Sequence, residues 1–162
     1  MGSFFQGKTV IVTGASMGVG AACARAFAAE GANLVLVARG EARLQKLASE
    51  LEGSTSILAV AMDVADESAC IDLLTQSNER FGRIDVLVNN AGMHNRGAVD
   101  TLAPADIAAM IDVNLRAPLF LSAAVLPYLQ AQSGGAIVMV GSLAGRTPMQ
   151  GAATYAASKA GL

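Results

Sequence analysis

A regular alternation of short β-branched runs with amphipathic segments most constrains what this chain can fold into. Runs rich in valine, isoleucine and leucine predict strands over 8–13, 34–38, 56–62, 85–89 and 135–140. A helical pattern follows each of them. Alternation on this scale is typical of a doubly wound α/β fold with right-handed crossovers, in which helices cover both faces of a parallel sheet.

Helical patterns and their capping residues fill the segments between these strands. The first helix is predicted over 18–30 and ends at a glycine. The third begins after Asp66, a good N-cap, and is closed by Gly82. A long helix is predicted over 104–130, and a final one begins near Ala152. The residues expected to face the core on the first three helices are Val19, Cys23, Ala26 and Phe27, then Leu44, Leu47 and Leu51, then Cys70, Ile71 and Leu74.

The composition agrees with a sheet that is buried on both faces. The chain has 162 residues, of which 53% are hydrophobic and 15% charged, and no linker or repeat divides it. We therefore expect residues 1–162 to form a single dinucleotide-binding domain of the Rossmann type, with strand order 3-2-1-4-5. A net charge of −2 argues against a nucleic-acid partner.

The same composition bears on compartment and metals. Cys23 and Cys70 lie in separate helical patterns and are expected to be reduced thiols, as in a cytoplasmic protein. His94 is the only histidine, and no metal-ligand cluster is predicted. The N-terminus lacks the pattern of a signal peptide, and the apolar run 117–129 contains prolines and is short for a bilayer span. We expect a soluble cytoplasmic protein without a membrane partner.

A glycine-rich turn follows the first predicted strand. Its sequence, Thr13-Gly-Ala-Ser-Met-Gly-Val-Gly20, allows a tight turn and a close approach of the backbone to a pyrophosphate. The spacing differs from the common Gly-x-Gly-x-x-Gly fingerprint, and a glycine-rich turn alone is often only a tight loop. Its position between a buried strand and a helix favours nucleotide binding, with Gly14, Ser16, Gly18 and Gly20 as candidate cofactor ligands.

Residues at the ends of the next strands bear on the choice of nucleotide. Arg39 stands where a carboxylate would bind the 2′-hydroxyl of NAD, and an arginine there favours the 2′-phosphate of NADP. NADP(H) is therefore the favoured cofactor and NAD(H) the alternative. Asp63 and Val64 end the third strand, where Asp63 could face the adenine or simply form a turn. The candidate ribose contacts after the fourth strand are Asn90, Ala91 and Gly92.

Tyr155 and Lys159 form the most informative pair for chemistry. They lie four residues apart in a predicted helix and so share one of its faces. A nearby cation favours the phenolate form of a tyrosine, which suits the phenol to act as a general acid or base near neutral pH. Ser142 follows the fifth strand, and could either place its hydroxyl beside the phenol or be a plain turn residue.

Asn114 lies inside the long predicted helix, four residues before Pro118. Because proline has no N–H, the carbonyl of Asn114 loses its helical partner, and we expect a kink there. The hypothesis is that this carbonyl anchors a proton-relay water behind Lys159.

Together these motifs resemble the short-chain dehydrogenase/reductase family. The resemblance implies hydride transfer between NADP(H) and a carbonyl or alcohol, with Tyr155 as general acid/base and Ser142 polarising the carbonyl. It also implies that Lys159 assists the tyrosine and holds the nicotinamide ribose, and that Asn114 anchors the relay. The matching residues, in the family's order and spacing, are the turn 13–20, Asp63-Val64, Asn89-Asn-Ala-Gly92, Asn114, Gly141-Ser142 and Tyr155-x3-Lys159.

The family's catalytic domain continues beyond the Tyr-x3-Lys motif, so the resemblance implies a chain truncated within its last helix. The sixth and seventh strands and the lid over the substrate would then be missing. The full-length protein is expected to be a homo-oligomer that acts on a small-molecule carbonyl or alcohol. The alternatives are a non-enzymatic nucleotide-binding module or inactive truncation product, and an epimerase or dehydratase of the extended branch of the superfamily.

Overall fold

The computed structural model describes residues 3–147 and 149–162, and its five strands form one parallel sheet. The strand order is β3-β2-β1-β4-β5, as predicted. The strands are β1 (Thr9–Thr13), β2 (Asn33–Ala38), β3 (Ile57–Ala61), β4 (Val86–Asn89) and β5 (Ala136–Met139). The helices are α1 (Gly18–Ala29), α2 (Glu41–Leu51), α3 (Glu67–Phe81), α4 (Pro104–Ile111), α5 (Ala117–Ala131) and α6 (Ala153–Gly161).

The register of the sheet places the carboxyl ends of all five strands at one edge. Ile11 of β1 lies beside Val35 of β2 and beside Leu87 of β4, and every strand pairing is parallel. Ligands of doubly wound folds bind outside this edge, where the strand order reverses between β1 and β4. The loops that leave this edge therefore form the candidate site.

Successive residues of β1 point to opposite faces of the sheet, and both faces are covered. Val10 and Val12 pack in the layer that contains Leu44 of α2, whereas Ile11 packs in the layer that contains Leu121 of α5. All of β1 is buried. A strand covered on both faces explains the nearly continuous apolar runs in the sequence.

The apolar faces predicted for α1 and α3 were partly wrong. Val19 of α1 is 60% exposed, and Ile71 of α3 is exposed as well. On α1 the buried positions are instead the small residues, because the helix backbone packs too close to the sheet for larger side chains. The buried residues of α1 are Gly20, Ala21, Ala24 and Ala28.

The caps and the cysteine of α3 agree with the sequence. The Asp66 carboxylate accepts a hydrogen bond from the Ala69 N–H at 3.1 Å, and Gly82 closes the helix in the left-handed conformation. Cys23 and Cys70 are both free thiols. Burial raises the pKa of the Cys70 thiol to about 11, so this thiol stays protonated and unreactive at neutral pH.

The long helix predicted over 104–130 is interrupted by a π-helical turn at Asp112–Arg116, between α4 and α5. Pro118 lies just after this turn, at the start of α5. Near the position where a kink was expected, the helix has a π turn, a feature often found at functional sites. Asn114 lies in the middle of it.

The helical stretch from Pro104 to Ala131 has 28 residues and a mean hydropathy of 1.4 in its most apolar window. By length and composition alone it could cross a membrane, so the apolar segment is longer than the sequence analysis allowed. In this fold, however, Leu121 and Val125 pack in the core against the sheet. Packing in the fold accounts for part of the apolar character of this stretch, since 33% of its most apolar window is buried.

Candidate active site

The glycine turn between β1 and α1 is shaped by two close approaches. A Cβ atom on Gly20 would lie 2.3 Å from the carbonyl oxygen of Gly14, and one on Gly14 would lie 2.8 Å from Asn90 Nδ2. Gly14 also has a φ of +66°, which favours glycine. Because both residues are glycines, the first turn of α1 lies at the sheet edge with its N–H groups free. A helix N-terminus placed in this way can bind an anion.

Thr13 and Asn90 fasten this turn to the end of β4. Asn90 Nδ2 donates to the carbonyl oxygens of Thr13, at 2.9 Å, and of Gly14, at 3.2 Å. Thr13 Oγ1 accepts from the backbone N–H groups of Asn90 and Ala91, both at 3.0 Å, and donates to the Val88 carbonyl at 3.2 Å. Asn90 and Thr13 therefore tie the glycine turn to the end of β4. The sequence analysis proposed no role for the Thr13 side chain.

A cleft of about 530 Å³ opens beside this turn. Gly18 and Gly20, which the sequence analysis named as cofactor ligands, do not line this cleft. They shape the turn beside it. The predicted residues that do line it are Gly14, Ser16, Arg39, Asp63, Val64, Asn90, Ala91 and Gly92. Lining residues that the sequence analysis did not propose include Arg43, Met62, Met93 and Val113.

Two arginines lie at the β2 end of the cleft. Arg39 Nη1 is 3.9 Å from Asp63 Oδ2, and both side chains are largely exposed. Arg43 of α2 lies over Gly40, with its guanidinium 3.8 Å from the position of a Cβ on that glycine. Asp63 Oδ1 also accepts from the Ala65 N–H at 3.0 Å, so Asp63 both forms a turn and lines the cleft. Arg39 and Arg43 contribute two positive charges and Asp63 one negative charge, so the described residues at this end of the cleft wall carry a net positive charge.

A second cavity, of about 230 Å³, adjoins the first and shares Asn90, Gly92 and Met93 with it. Tyr155 and Lys159 both line this second cavity, as one face of α6 should place them. The structure therefore brings the predicted acid/base pair to the same edge of the sheet as the glycine turn, in one continuous groove.

Lys159 is partly buried beside the end of β5. Its Nζ donates to the Val140 carbonyl at 3.0 Å and lies 3.7 Å from the position of a Cβ on Gly92. Burial lowers the pKa of this ammonium. Within the described residues no carboxylate pairs with it. A partly desolvated cation without an anionic partner is well suited to favour a phenolate nearby.

Ser142 lies next to this cavity with its hydroxyl turned into the following helical turn. Its Oγ accepts from the Ala144 N–H at 3.2 Å and so caps the short 3₁₀ turn Leu143–Gly145. Gly141, rather than Ser142, lines the cavity. In the described part of the chain no hydrogen bond joins Ser142 to Tyr155. The hydroxyl still has its own proton to donate, since the cap uses it only as an acceptor.

Asn114 is fully buried, and its side chain forms a clamp that the sequence analysis did not predict. Oδ1 accepts from the Met93 N–H at 2.8 Å, and Nδ2 donates to the Met93 carbonyl at 2.9 Å and to Ser158 Oγ at 3.1 Å. Ser158 Oγ donates in turn to the Tyr155 carbonyl at 2.7 Å. The segment after β4 is thus joined to α6. The sequence held one signal for this clamp: an asparagine in the interior of a predicted helix, whose amide needs hydrogen-bond partners if it is buried.

The imidazole of His94 stacks on the ring of Tyr155. The ring centroids are 4.1 Å apart and the planes are inclined by 23°. His94 is exposed, and it lines the second cavity together with Tyr155 and Lys159.

A parallel sheet ordered β3-β2-β1-β4-β5, with a glycine turn after β1 and a groove across the reversal of strand order, defines the doubly wound dinucleotide-binding class. The Tyr155/Lys159 pair lies beside this cleft. The chain belongs to the short-chain dehydrogenase family, whose sequence pattern matches residues 8–162.

The relatives of this chain are oxidoreductases. An uncharacterized oxidoreductase of Staphylococcus epidermidis is 38% identical over 96% of this chain and 66% of its own length. Sulfoacetaldehyde reductase 2 of Chromohalobacter salexigens is 40% identical over 93% of this chain and 61% of its own length. A short chain dehydrogenase of Pseudocercospora fijiensis is 39% identical, and 52% of its length is covered. The chain therefore spans between about half and two thirds of the length of these curated relatives.

A solved structure supports both the fold and a nicotinamide nucleotide site. A metagenomic short-chain oxidoreductase in complex with NADP is 39% identical and superimposes with a TM-score of 0.93. The match covers 98% of this chain and 72% of that one. It agrees with a cleft whose glycine turn leaves room for a nucleotide.

Proposed function

We propose that the protein transfers a hydride between NADP(H) and a small-molecule carbonyl or secondary alcohol. The observation that carries this proposal is the shared groove: Tyr155 and Lys159 line a cavity that continues into the cleft beside the glycine turn. An acid/base pair alone would be consistent with many reactions. An acid/base pair at the end of a nucleotide-sized cleft supports hydride transfer.

The residues of the first cleft fit a dinucleotide. Gly14 and Gly20 keep the turn free of side chains, so that the N-terminus of α1 can receive the pyrophosphate. Gly18 supplies the positive φ within the turn, and Ser16 lines the cleft beside it. When bound, the nicotinamide supplies or accepts the hydride. Val64, Asn90, Ala91 and Gly92 would hold the adenosine half.

Arg39 and Arg43 favour NADP(H) over NAD(H). Both line the cleft at the end of β2, where the 2′ position of the adenosine ribose is read in this class of fold. Arg39 is only loosely paired with Asp63, at 3.9 Å, so its guanidinium is available to a phosphate. That the similar metagenomic structure holds NADP supports the same choice.

Tyr155 acts as general acid in reduction and as general base in oxidation. Its hydroxyl gives a proton to the carbonyl oxygen as the alcohol forms, and takes that proton back in the reverse direction. Lys159 stabilises the phenolate by its charge and would contact the nicotinamide ribose. Ser142 donates its free proton to the substrate oxygen. Asn114 clamps Met93 and Ser158 by its side chain, and its backbone carbonyl is the proposed anchor for a relay water.

Residues 1–162 form one domain in this proposal, and the complete protein is a cytoplasmic homo-oligomer. Leu119 and Leu126, both on α5, are exposed apolar residues that support association with another subunit. Light scattering of the intact protein would test the oligomer. A monomeric mass would contradict it.

The proposed reaction is tested by following nicotinamide absorbance with the intact protein and a panel of small aldehydes and ketones, sulfoacetaldehyde included. We expect NADPH to be consumed faster than NADH at equal concentration. Tyr155→Phe should lower the rate by about 10²- to 10⁴-fold, because the variant has no proton to transfer.

Tyr128→Phe is the matched control, since it removes the hydroxyl of the other tyrosine, on α5, and should leave the rate unchanged. Full activity in Tyr155→Phe would refute the mechanism. A clear preference for NADH would refute the cofactor assignment alone.

A further inference from the structure

We infer that His94 is a positioning residue for Tyr155: its imidazole covers one face of the phenol ring and so holds the hydroxyl in the cavity that Lys159 also lines. This inference rests on the proposed function, in which Tyr155 is the general acid/base. It adds a residue from the loop after β4 to the residues of the proposed mechanism.

The geometry is that of a stacked aromatic pair. The ring centroids lie 4.1 Å apart and the planes are inclined by 23°, so the imidazole faces the phenol rather than touching its edge. Tyr155 is only partly buried. Contact along a whole ring face restricts the rotamer of such a ring.

The backbone on both sides of the stack is fixed by one buried hydrogen-bond network. Met93, directly before His94, is held at its N–H and its carbonyl by the amide of Asn114. The same amide donates to Ser158 Oγ at 3.1 Å, and that hydroxyl donates to the carbonyl of Tyr155 at 2.7 Å. Asn114 and Ser158 are fully buried. Imidazole and phenol therefore face each other across a rigid frame, not across two mobile segments.

The position of His94 also separates it from most of the nucleotide site. His94 lines the second cavity, where Lys159 would contact the nicotinamide ribose, but not the cleft beside the glycine turn, where the pyrophosphate and the adenosine half would bind. Loss of the imidazole should therefore slow proton transfer at Tyr155 more than it weakens nucleotide binding. The ring face that His94 covers is closed to a substrate, which leaves the hydroxyl and the open face of the ring for the carbonyl.

The test compares His94→Ala, which removes the stack, with His94→Phe, which keeps an aromatic ring without ring nitrogens. We expect His94→Ala to lower kcat by about 2- to 13-fold, the range expected for loss of one aromatic pair. The dissociation constant for NADPH should change less than kcat, because the adenosine half and the pyrophosphate would bind in the other cleft. His94→Phe should recover most of the loss, and Asn95→Ala, a neighbouring loop variant, should behave like the wild type.

A second measurement does not depend on turnover. In the intact protein with ring-labelled tyrosine, the signal removed by Tyr155→Phe identifies the Tyr155 ring. Its protons should lie upfield through the ring current of His94. The shift should disappear in His94→Ala and persist in His94→Phe.

The outcomes separate the two proposals. An unchanged kcat in His94→Ala, or His94→Phe as slow as His94→Ala, would overturn the positioning role while the proposed function stands. Unchanged Tyr155 signals in His94→Ala would overturn the stack itself. Absence of turnover by the wild-type protein with every carbonyl would refute the proposed function, and the positioning role with it, even if the ring shift were present.

Discussion

Strand β1 begins and ends with a buried threonine, and the two hydroxyl groups are used in opposite ways. Thr9 is 0% exposed and Thr13 is 1% exposed. Thr13 Oγ1 makes three hydrogen bonds to β4 and the segment after it. Thr9 Oγ1 has no hydrogen-bond partner within the described residues. The same side chain in the same strand is therefore fully satisfied at one end and unsatisfied at the other.

The difference reflects which end of the sheet carries the site. At the carboxyl end, Thr13 Oγ1 accepts from the N–H groups of the two residues that follow β4 and leaves the turn open for a ligand. At the amino end, β1 and β4 are tied together by Asp85, whose carboxylate accepts from the Thr9 N–H at 2.9 Å and pairs with Arg83 at 2.6 Å. One end of the strand pair is held by neutral hydrogen bonds around a cleft, and the other by an ion pair.

The largest effect is expected from Thr13→Val. Valine has a similar shape but no acceptor, so the Ala91 N–H would lose its partner and the Asn90 N–H would keep only the Val88 carbonyl, at a cost of about 2–3 kcal/mol of unfolding free energy. The turn that Asn90 supports should also loosen, and the affinity for NADPH should fall. Chemical denaturation and a nucleotide titration of the intact protein would measure both. Unchanged affinity with lowered stability would show that Thr13 only supports the fold.

Much of the fold was accessible from the sequence because its signals are local. The β-branched runs and Gly82 depend on neighbouring residues only, and β1 to β5 appear within a residue or two of their predicted bounds. Val19 was predicted to face the core but is exposed. Apolar periodicity does not report how near a helix backbone lies to the sheet. Only the packed structure shows that Gly20 and Gly14 nearly touch.

The sequence predicted which residues belong to the site better than it predicted the contacts between them. Tyr155 and Lys159 share a cavity as their spacing indicated. The clamp by Asn114 on Met93 and Ser158 and the stack of His94 on Tyr155 join residues that lie far apart in the chain. No periodicity encodes such a pairing, because it depends on how β4 and α6 are placed by the whole sheet. The cap that Ser142 forms on Leu143–Gly145 is local, and it corresponds to the turn role that the sequence analysis gave as an alternative.

The second prediction concerns Asp85→Asn at the amino end of the sheet. Burial raises the pKa of this carboxyl, but hydrogen bonds from Arg83 and from the Thr9 N–H outweigh burial, so its folded pKa lies below the ordinary value. A depressed folded pKa means that the stabilisation by Asp85 is fully present above about pH 4 and is lost as the pH falls through the folded value.

At neutral pH we expect Asp85→Asn to be less stable than the wild type by about 1–2 kcal/mol, since charged hydrogen bonds become neutral ones. The two unfolding free energies should converge as the pH falls below 4. Nucleotide affinity should not change, because Asp85 lies at the edge opposite the cleft. A gap of the same size at pH 3 and pH 7 would contradict the ion-pair interpretation.

The smallest effect, and the only gain, is expected from Thr9→Val. Removing a buried hydroxyl that has no partner removes its desolvation cost, so the variant should be more stable by about 1 kcal/mol, in contrast to Thr13→Val in the same strand. Denaturation of both variants side by side measures the difference. A loss of stability in Thr9→Val would mean that a buried water satisfies the hydroxyl in solution, and the two ends of β1 would then differ only in the kind of partner they use.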